Sequence, residues 1–222
     1  MIVVHHLENS RSQRILWMLE ELDIPYEIQH YKRDVETQLA PESLTKIHPL
    51  GKSPVITDND LVIAESGNII EYLATRYGEG RFMPDASDSN HWQCKYWLHY
   101  GEGSLMPLLV MKLVFDKVKE SPMPFFIKPI AKGISDKVME AYLGPNLDRH
   151  LAYVEKHLGD NAWFAGPDLT AADFLMSFPL EAANSRYLKG KRFPNITAYL
   201  AKVHGRSGYQ AALEKGGPYD YA

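Results

Sequence analysis

The spacing of apolar residues changes character partway along this chain. Ile2 to His6 is a short β-branched run that predicts a buried strand. From Arg11 to Leu22 the apolar positions Ile15, Leu19 and Leu22 recur at helical spacing beside Glu20 and Glu21, so a helix is expected there, ended by Pro25. Tyr26 to Tyr31 alternates as a second strand, and the looser stretch Pro41-Glu42-Ser43-Leu44 predicts a short helix. Pro54-Val55-Ile56-Thr57 and Leu61-Val62-Ile63-Ala64 flank the turn Asp58-Asn59-Asp60, the pattern of an antiparallel hairpin. Gly67 to Tyr77 returns to helical spacing, with Ile69, Ile70, Leu73 and Tyr77 on one face.

Beyond that point strand patterns stop. Arg81 to Asn90 is a polar stretch with Pro84, Asp85, Ser87, Asp88 and Ser89. Helices are then expected over Trp92 to about Lys119, Ile130 to about His157, Ala171 to Ser185, Ile196 to Val203 and Tyr209 to Lys215. The proline-rich segment Ser121 to Pro129 separates the first two. The expected organisation is an α/β N-terminal thioredoxin-like domain (βαβαββα) over residues 1–80, a linker over 81–90, and an all-α helical domain over 91–222.

Composition narrows the classes of function. A chain of 222 residues with 45% hydrophobic and 23% charged residues suits two modest globular domains. The formal charge of −4 argues against a dedicated nucleic-acid or anionic-membrane binder, which needs a basic field. No stretch approaches the roughly twenty apolar residues that span a bilayer. The opening residues lack a basic segment followed by an apolar one, so a cytoplasmic location is expected. The single Cys94 cannot close an intramolecular disulfide, and no zinc-type spacing is present. His5 and His6 alternate across a strand and cannot converge on one metal.

Two blocks carry chemistry. The first is His48-Pro49-Leu50-Gly51-Lys52-Ser53-Pro54-Val55, followed by Glu65-Ser66-Gly67 at a helix start. Pro54 removes a donor just before a central strand, which fits either an ordinary trans proline or a cis Ser53–Pro54 bond. Taken alone, Ser66 is an N-cap, Glu65 a solvated charge and Lys52 a loop lysine. The second block, Asn9-Ser10-Arg11-Ser12-Gln13, lies between strand one and helix one. A thioredoxin carries a Cys-x-x-Cys pair in this turn, so redox chemistry by protein thiols is excluded here. Ser10-x-x-Gln13 fits a capping box, in which Ser10 accepts from the Gln13 amide. A hydroxyl at a helix N-terminus can also donate to an anion in a positive field.

Both blocks together resemble the core signature of the glutathione S-transferase superfamily, an N/H-P-x-G-x-x-P block followed by an E-S pair. The resemblance implies that Ser53, ahead of a cis Pro54, pairs with the backbone of glutathione as with an added strand. It implies Glu65 for the γ-glutamyl ammonium, Ser66 for the γ-glutamyl carboxylate and Lys52 for a carboxylate of the tripeptide. The same resemblance places the glutathione thiolate at the turn, with Ser10 as first choice, Asn9 as an amide donor and Arg11 as a cationic alternative. The start from His6 to Trp17 and the segment Tyr31-Lys32-Arg33-Asp34 resemble a fungal and bacterial subgroup, in whose bacterial members a residue placed like Gln38 touches glutathione's glycine end. Gly166 to Asp173 resembles the family's G-x-x-L-T-x-A-D block, with Thr170 and Asp173 as a helix cap, and the similarity runs from about Ile2 to His204.

The implied activity is conjugation of glutathione to a small apolar electrophile, with glutathione as substrate and no further cofactor or metal. Glutathione-dependent peroxide or disulfide reduction and non-catalytic glutathione binding remain as alternatives. Chemistry that needs a cysteine or tyrosine in the turn is disfavoured, since neither is present there. The resemblance puts the second-substrate pocket against the first long helix, with Trp97, Tyr100 and Met106 as candidates and Leu109, Phe125 and Phe126 nearby. It also implies a homodimer.

Overall fold

A computed structural model describes residues 1–222. Four strands, β1 (Ile2–Leu7), β2 (Tyr26–Tyr31), β3 (Val55–Asp58) and β4 (Leu61–Ala64), form one sheet in the order β2-β1-β3-β4. β1 runs parallel to β2, with Ile2 opposite Tyr26, and antiparallel to β3, with Ile2 opposite Asp58. As an interior strand β1 is buried along nearly its whole length, which is why its sequence is a run rather than an alternation. The hairpin turns on Asn59, whose φ of 51° lies in the left-handed region that asparagine tolerates. Buried Asp58 accepts from the Tyr72 and Tyr77 hydroxyls and so ties the hairpin to α2 (Ser66–Tyr77). With α1 (Gln13–Leu22) and a single 3₁₀ turn at Glu42–Lys46, this completes the thioredoxin-like βαβαββα order.

All later elements are helical. α3 (Ser89–Tyr100) opens within the stretch expected to be linker, because the Asp88 carboxylate accepts from the Asn90 amide and starts the helix there. It continues through a π turn at Gly101–Leu105 into α4 (Met106–Glu120). α5 (Lys128–Val138) joins α6 (Gly144–Asp160) through a second π turn at Met139–Leu143. Hydrophobic spacing predicts each pair as one unbroken helix. A π turn adds a residue and so shifts which side chains face the core, a change that apolar period alone does not reveal. α7 (Ala171–Arg186) is buried around nearly its full circumference and forms the centre of the helical layer, with α8 (Pro194–His204) and α9 (Ser207–Gly216) behind it. Gly101 lies so close to α7 that a β-carbon there would approach Leu175 to 2.8 Å.

One apolar core runs through both parts of the molecule. Trp17 of α1 lies 4.5 Å from the Phe174 ring of α7 and 5.7 Å from Tyr209 of α9. No helix is long and apolar enough to cross a membrane. At the head of α7, Asp173 accepts from the Thr170 amide and hydroxyl at 2.8 and 3.0 Å and from the Phe164 amide at 2.9 Å, and the capping box is complete. Replacing Asp173 by alanine would strand two buried amides, so Asp173→Ala is expected to lower stability by about 3 kcal/mol. Urea denaturation of the two proteins measures this, and a loss under about 1 kcal/mol would remove the cap from the account.

Candidate functional site

The turn after β1 is where sheet, α1 and the helical layer meet. Asn9 has φ 49°, which swings the chain from the strand toward α1. The Ser10 hydroxyl lies 2.7 Å from the Ser12 hydroxyl and accepts from the Ser12 amide at 3.2 Å. Gln13 N–H reaches only the Ser10 carbonyl, at 3.3 Å, and the N-cap is Ser12. The capping box expected for Ser10 and Gln13 is therefore absent, because the helix starts later than the spacing suggests. Ser12 Oγ in turn lies 2.9 Å from Nδ1 of His6. Burial pushes His6 down to about 4, helped by His30, so its imidazole is neutral at pH 7. Asn9 is engaged elsewhere: it donates to the Asp220 carboxylate at 2.9 Å and accepts from the Asp220 amide at 2.8 Å.

Arg11 and Arg14 share a single carboxylate. Arg14 has a side chain only 1% exposed; it donates to the Leu175 carbonyl at 2.6 Å and to Glu102 Oε1. Arg11 Nε lies 3.2 Å from Glu102 Oε2, and its guanidinium carbon sits 5.5 Å from the centre of the Phe178 ring. Burial raises the Glu102 pKa, but the charges of Arg14 and Arg11 outweigh it and hold the group below the usual range. Glu102 therefore stays a carboxylate.

Opposite this turn the Ser53–Pro54 bond is cis. Ser53 Oγ donates to the His5 carbonyl at 2.9 Å and accepts from the Leu7 amide at 3.3 Å, fixing the residue to the end of β1. The backbone N–H and C=O of Ser53 make no hydrogen bond within the chain. Glu65 has φ 69° and its carbonyl accepts the first helical bond of α2, from Ile69. The amides of Ser66, Gly67 and Asn68 are left without partners at the positive end of the helix. Neither Lys52 nor Glu65 is in an ion pair within the chain.

Two cavities adjoin here. One, of about 230 Å³, is lined by Lys52, Ser53, Pro54, Glu65 and Ser66 together with Arg11 and Glu102. The other, of about 250 Å³, has Asn9, Ser10 and Arg11 on one wall and Met106, Leu109 and Phe178 on the opposite one. Arg11, Lys52 and Ser53 belong to both. Of the residues singled out in the sequence, Gln38 lies outside both cavities: φ 59° turns it away, and its side-chain amide donates to the Val35 carbonyl at 3.0 Å. Trp97 and Tyr100 also face away from them. Trp97 stacks on Tyr153 at 5.4 Å inside the core, and the Tyr100 hydroxyl lies 2.7 Å from Nδ1 of His150. Both sit on the face of α3 that packs into the helical layer, where Trp97 also meets the Phe164 ring at 4.7 Å. Phe125 and Phe126 lie exposed at the far end of α4. Glu102, Phe178, Arg186 and Tyr221 line a cavity without any sequence signal; they lie on helices and a tail far along the chain from the turn.

Residues 1–75 match the family model described as glutathione S-transferase, N-terminal domain, and residues 140–202 match glutathione S-transferase, C-terminal domain. The chain is 41% identical over 217 residues to glutathione S-transferase 3 of Schizosaccharomyces pombe, covering 97% of this chain and 88% of that protein. It is 36% identical over 222 residues to glutathione S-transferase 1 of Saccharomyces cerevisiae, covering 96% and 94%. Among solved structures, a glutathione S-transferase from Actinobacillus pleuropneumoniae superposes with a TM-score of 0.83 at 36% identity, covering 100% of this chain and 95% of that one.

The neutral His6 beneath the turn makes a thermodynamic demand. Its value falls from 6.5 to about 4 on folding, so between those limits the unfolded chain binds the extra proton. Stability contributed by His6 is full above about pH 6.5 and is lost as pH falls toward 4, by up to about 3 kcal/mol. Urea denaturation from pH 7 to pH 4 should show a shallower pH dependence for His6→Gln than for the parent; identical slopes would show that His6 titrates normally.

Proposed function

The chain belongs to the glutathione S-transferase superfamily and is a glutathione S-transferase, and we propose that its two adjoining cavities divide the reaction between them. Glutathione lies extended in the cavity between Lys52 and Ser66. Its γ-glutamyl carboxylate meets the free amides and hydroxyl at the head of α2, where the helix dipole favours an anion. The γ-glutamyl ammonium meets Glu65, the cysteinyl backbone pairs with the free N–H and C=O of Ser53, and Lys52 meets the glycine carboxylate. The observation that carries this reading is that Arg11, Lys52 and Ser53 line both cavities, so the sulfur of a peptide held in one opens directly into the other.

A free thiol ionises near ~8.5 and needs help at pH 7. The Asn9–Arg11 turn supplies it, across the cavity from the apolar side chains of Met106, Leu109 and Phe178. The thiolate then attacks the carbon of a small apolar electrophile seated against those side chains, forming the thioether and releasing the leaving group. The chain's own Cys94 takes no part, since burial pushes its thiol up to about 11. The starts of β1 and α1 support placement in the fungal and bacterial subgroup, and family membership supports a cytoplasmic homodimer.

Retention on immobilised glutathione, followed by conjugation of glutathione to an activated aryl halide, tests the whole reading. Glu65→Ala and Ser66→Ala should each weaken glutathione binding about tenfold, the worth of one charge-assisted hydrogen bond, with little change in kcat. Unaltered affinity in both would move the γ-glutamyl group elsewhere.

A further inference from the structure

Four side chains emerge from the turn that faces the sulfur, and three are committed within the protein. Asn9 is clamped on both amide atoms by Asp220. Ser12 is fully buried against His6. Ser10 has one proton, and the neighbouring bonds draw it inward. Ser12 Oγ lies 2.9 Å from Nδ1 of His6 and donates to the Leu7 carbonyl at 3.3 Å, so with its own proton spent there it is left to accept that of Ser10. Ser10 Oγ already accepts from the Ser12 amide. Turning its hydroxyl toward the cavity would leave two buried oxygens 2.7 Å apart with no proton between them.

Arg11 is differently placed. Its side chain, 32% exposed, reaches both cavities, and only its Nε is near an acid. Two guanidiniums share the one carboxylate of Glu102, so the cluster carries one unbalanced positive charge where the cavities join. The other cations lining the acceptor cavity are occupied: Arg33 donates to the Asn9 and Gln38 carbonyls, Lys112 pairs with Asp116, and Arg186 donates to the Tyr221 hydroxyl. Arg33, Arg186 and Lys52 face no carboxylate, but the first two have guanidinium N–H groups committed to those oxygens, and Lys52 stands exposed at the lip, where the tripeptide carboxylate needs it. A full charge close to the sulfur, in a site of reduced dielectric, outweighs one neutral hydrogen bond severalfold.

Resting on the reading that glutathione's sulfur lies at this junction, we propose that Arg11, not Ser10, is the catalytic residue that stabilises the thiolate, with Glu102 as the positioning residue that holds its guanidinium there. The thiolate is the second anion of the cluster, and Ser10, with Ser12 and His6 behind it, shapes the turn.

The test is ultraviolet titration of the thiol of glutathione bound to the intact protein, alongside Kd for glutathione. Arg11→Gln should raise the pH at which the bound thiol ionises by about one unit or more, with Kd changed less than about threefold, and Arg11→Lys should restore part of the shift. Ser10→Ala should move it by less than half as much. Glu102→Ala, which releases Arg11, should raise it, whereas Glu102→Gln, which keeps a polar group beside Arg11 and removes a negative charge, should not. Because Glu102 also compensates buried Arg14, Arg11→Gln and Ser10→Ala, which leave that pair intact, decide the assignment. A Ser10→Ala shift as large as that of Arg11→Gln, or no shift in Arg11→Gln, overturns it. Parent protein that retains no glutathione overturns the site itself and this assignment with it.

Discussion

A guanidinium with almost no access to water is the constraint around which the site is organised. Removing Arg14 from solvent costs several kcal/mol, and its position is tenable only because Glu102 and the Leu175 carbonyl accept hydrogen bonds from its guanidinium. Those partners come from the π turn between α3 and α4 and from α7, while Arg14 itself is on α1. The pair therefore joins the α/β part to the helical part at the level of the turn from Asn9 to Gln13. Breaking such a buried pair by removing one partner costs about 3–5 kcal/mol, so the relative placement of the two cavities is held firmly. Arg11, three positions earlier and on the same carboxylate, takes its orientation from this anchor.

The last residues of the chain extend that control. Glu181 of α7, buried at 1% exposure, accepts from the hydroxyls of Tyr209 and Tyr219 and sits 3.1 Å from Nε2 of His204. With Tyr219 fixed, Asp220 reaches the amide of Asn9 and Tyr221 lines the acceptor cavity, edge-on to Phe178 at 5.4 Å. A tail that looks featureless as sequence thus forms part of the wall of the cavity that Lys52 and Ser53 also line. The acceptor cavity is built from the α/β turn, from the loop residues Arg33, Leu39 and Ala40, from Lys52 and Ser53, from α4, from α7 and from this tail. Its size and polarity are set by six separate stretches of chain, whereas the cavity beside Glu65 and Ser66 takes most of its lining from residues 48–66.

That difference explains how much of the site was legible. Lys52, Ser53, Pro54, Glu65 and Ser66 lie close in sequence on one hairpin and its flanks, so local pattern brings them together before any tertiary contact is known. The acceptor wall has no such locality. Trp97 and Tyr100 have the aromatic character of a pocket, yet they fill the core, where Trp97 packs on Tyr153 and Phe164 and Tyr100 reaches His150. Gln38 has the right neighbourhood, yet its left-handed backbone turns it back onto its own loop.

What the sequence by itself determined is the order of elements, the position of the hairpin and the composition of the turn from Asn9 to Gln13. Hydrophobic period and turn chemistry act over a few residues and need no partner from elsewhere in the chain. What only the tertiary structure decided is the state of each group in that turn: Asn9 held by Asp220, Ser10 drawn inward through Ser12 to His6, Arg11 set by Glu102. A side chain's hydrogen-bond partners and local field depend on distance in space. Here a buried imidazole, a helix from the other half of the molecule and the chain's own end converge on residues whose sequence pattern suggested only a helix cap.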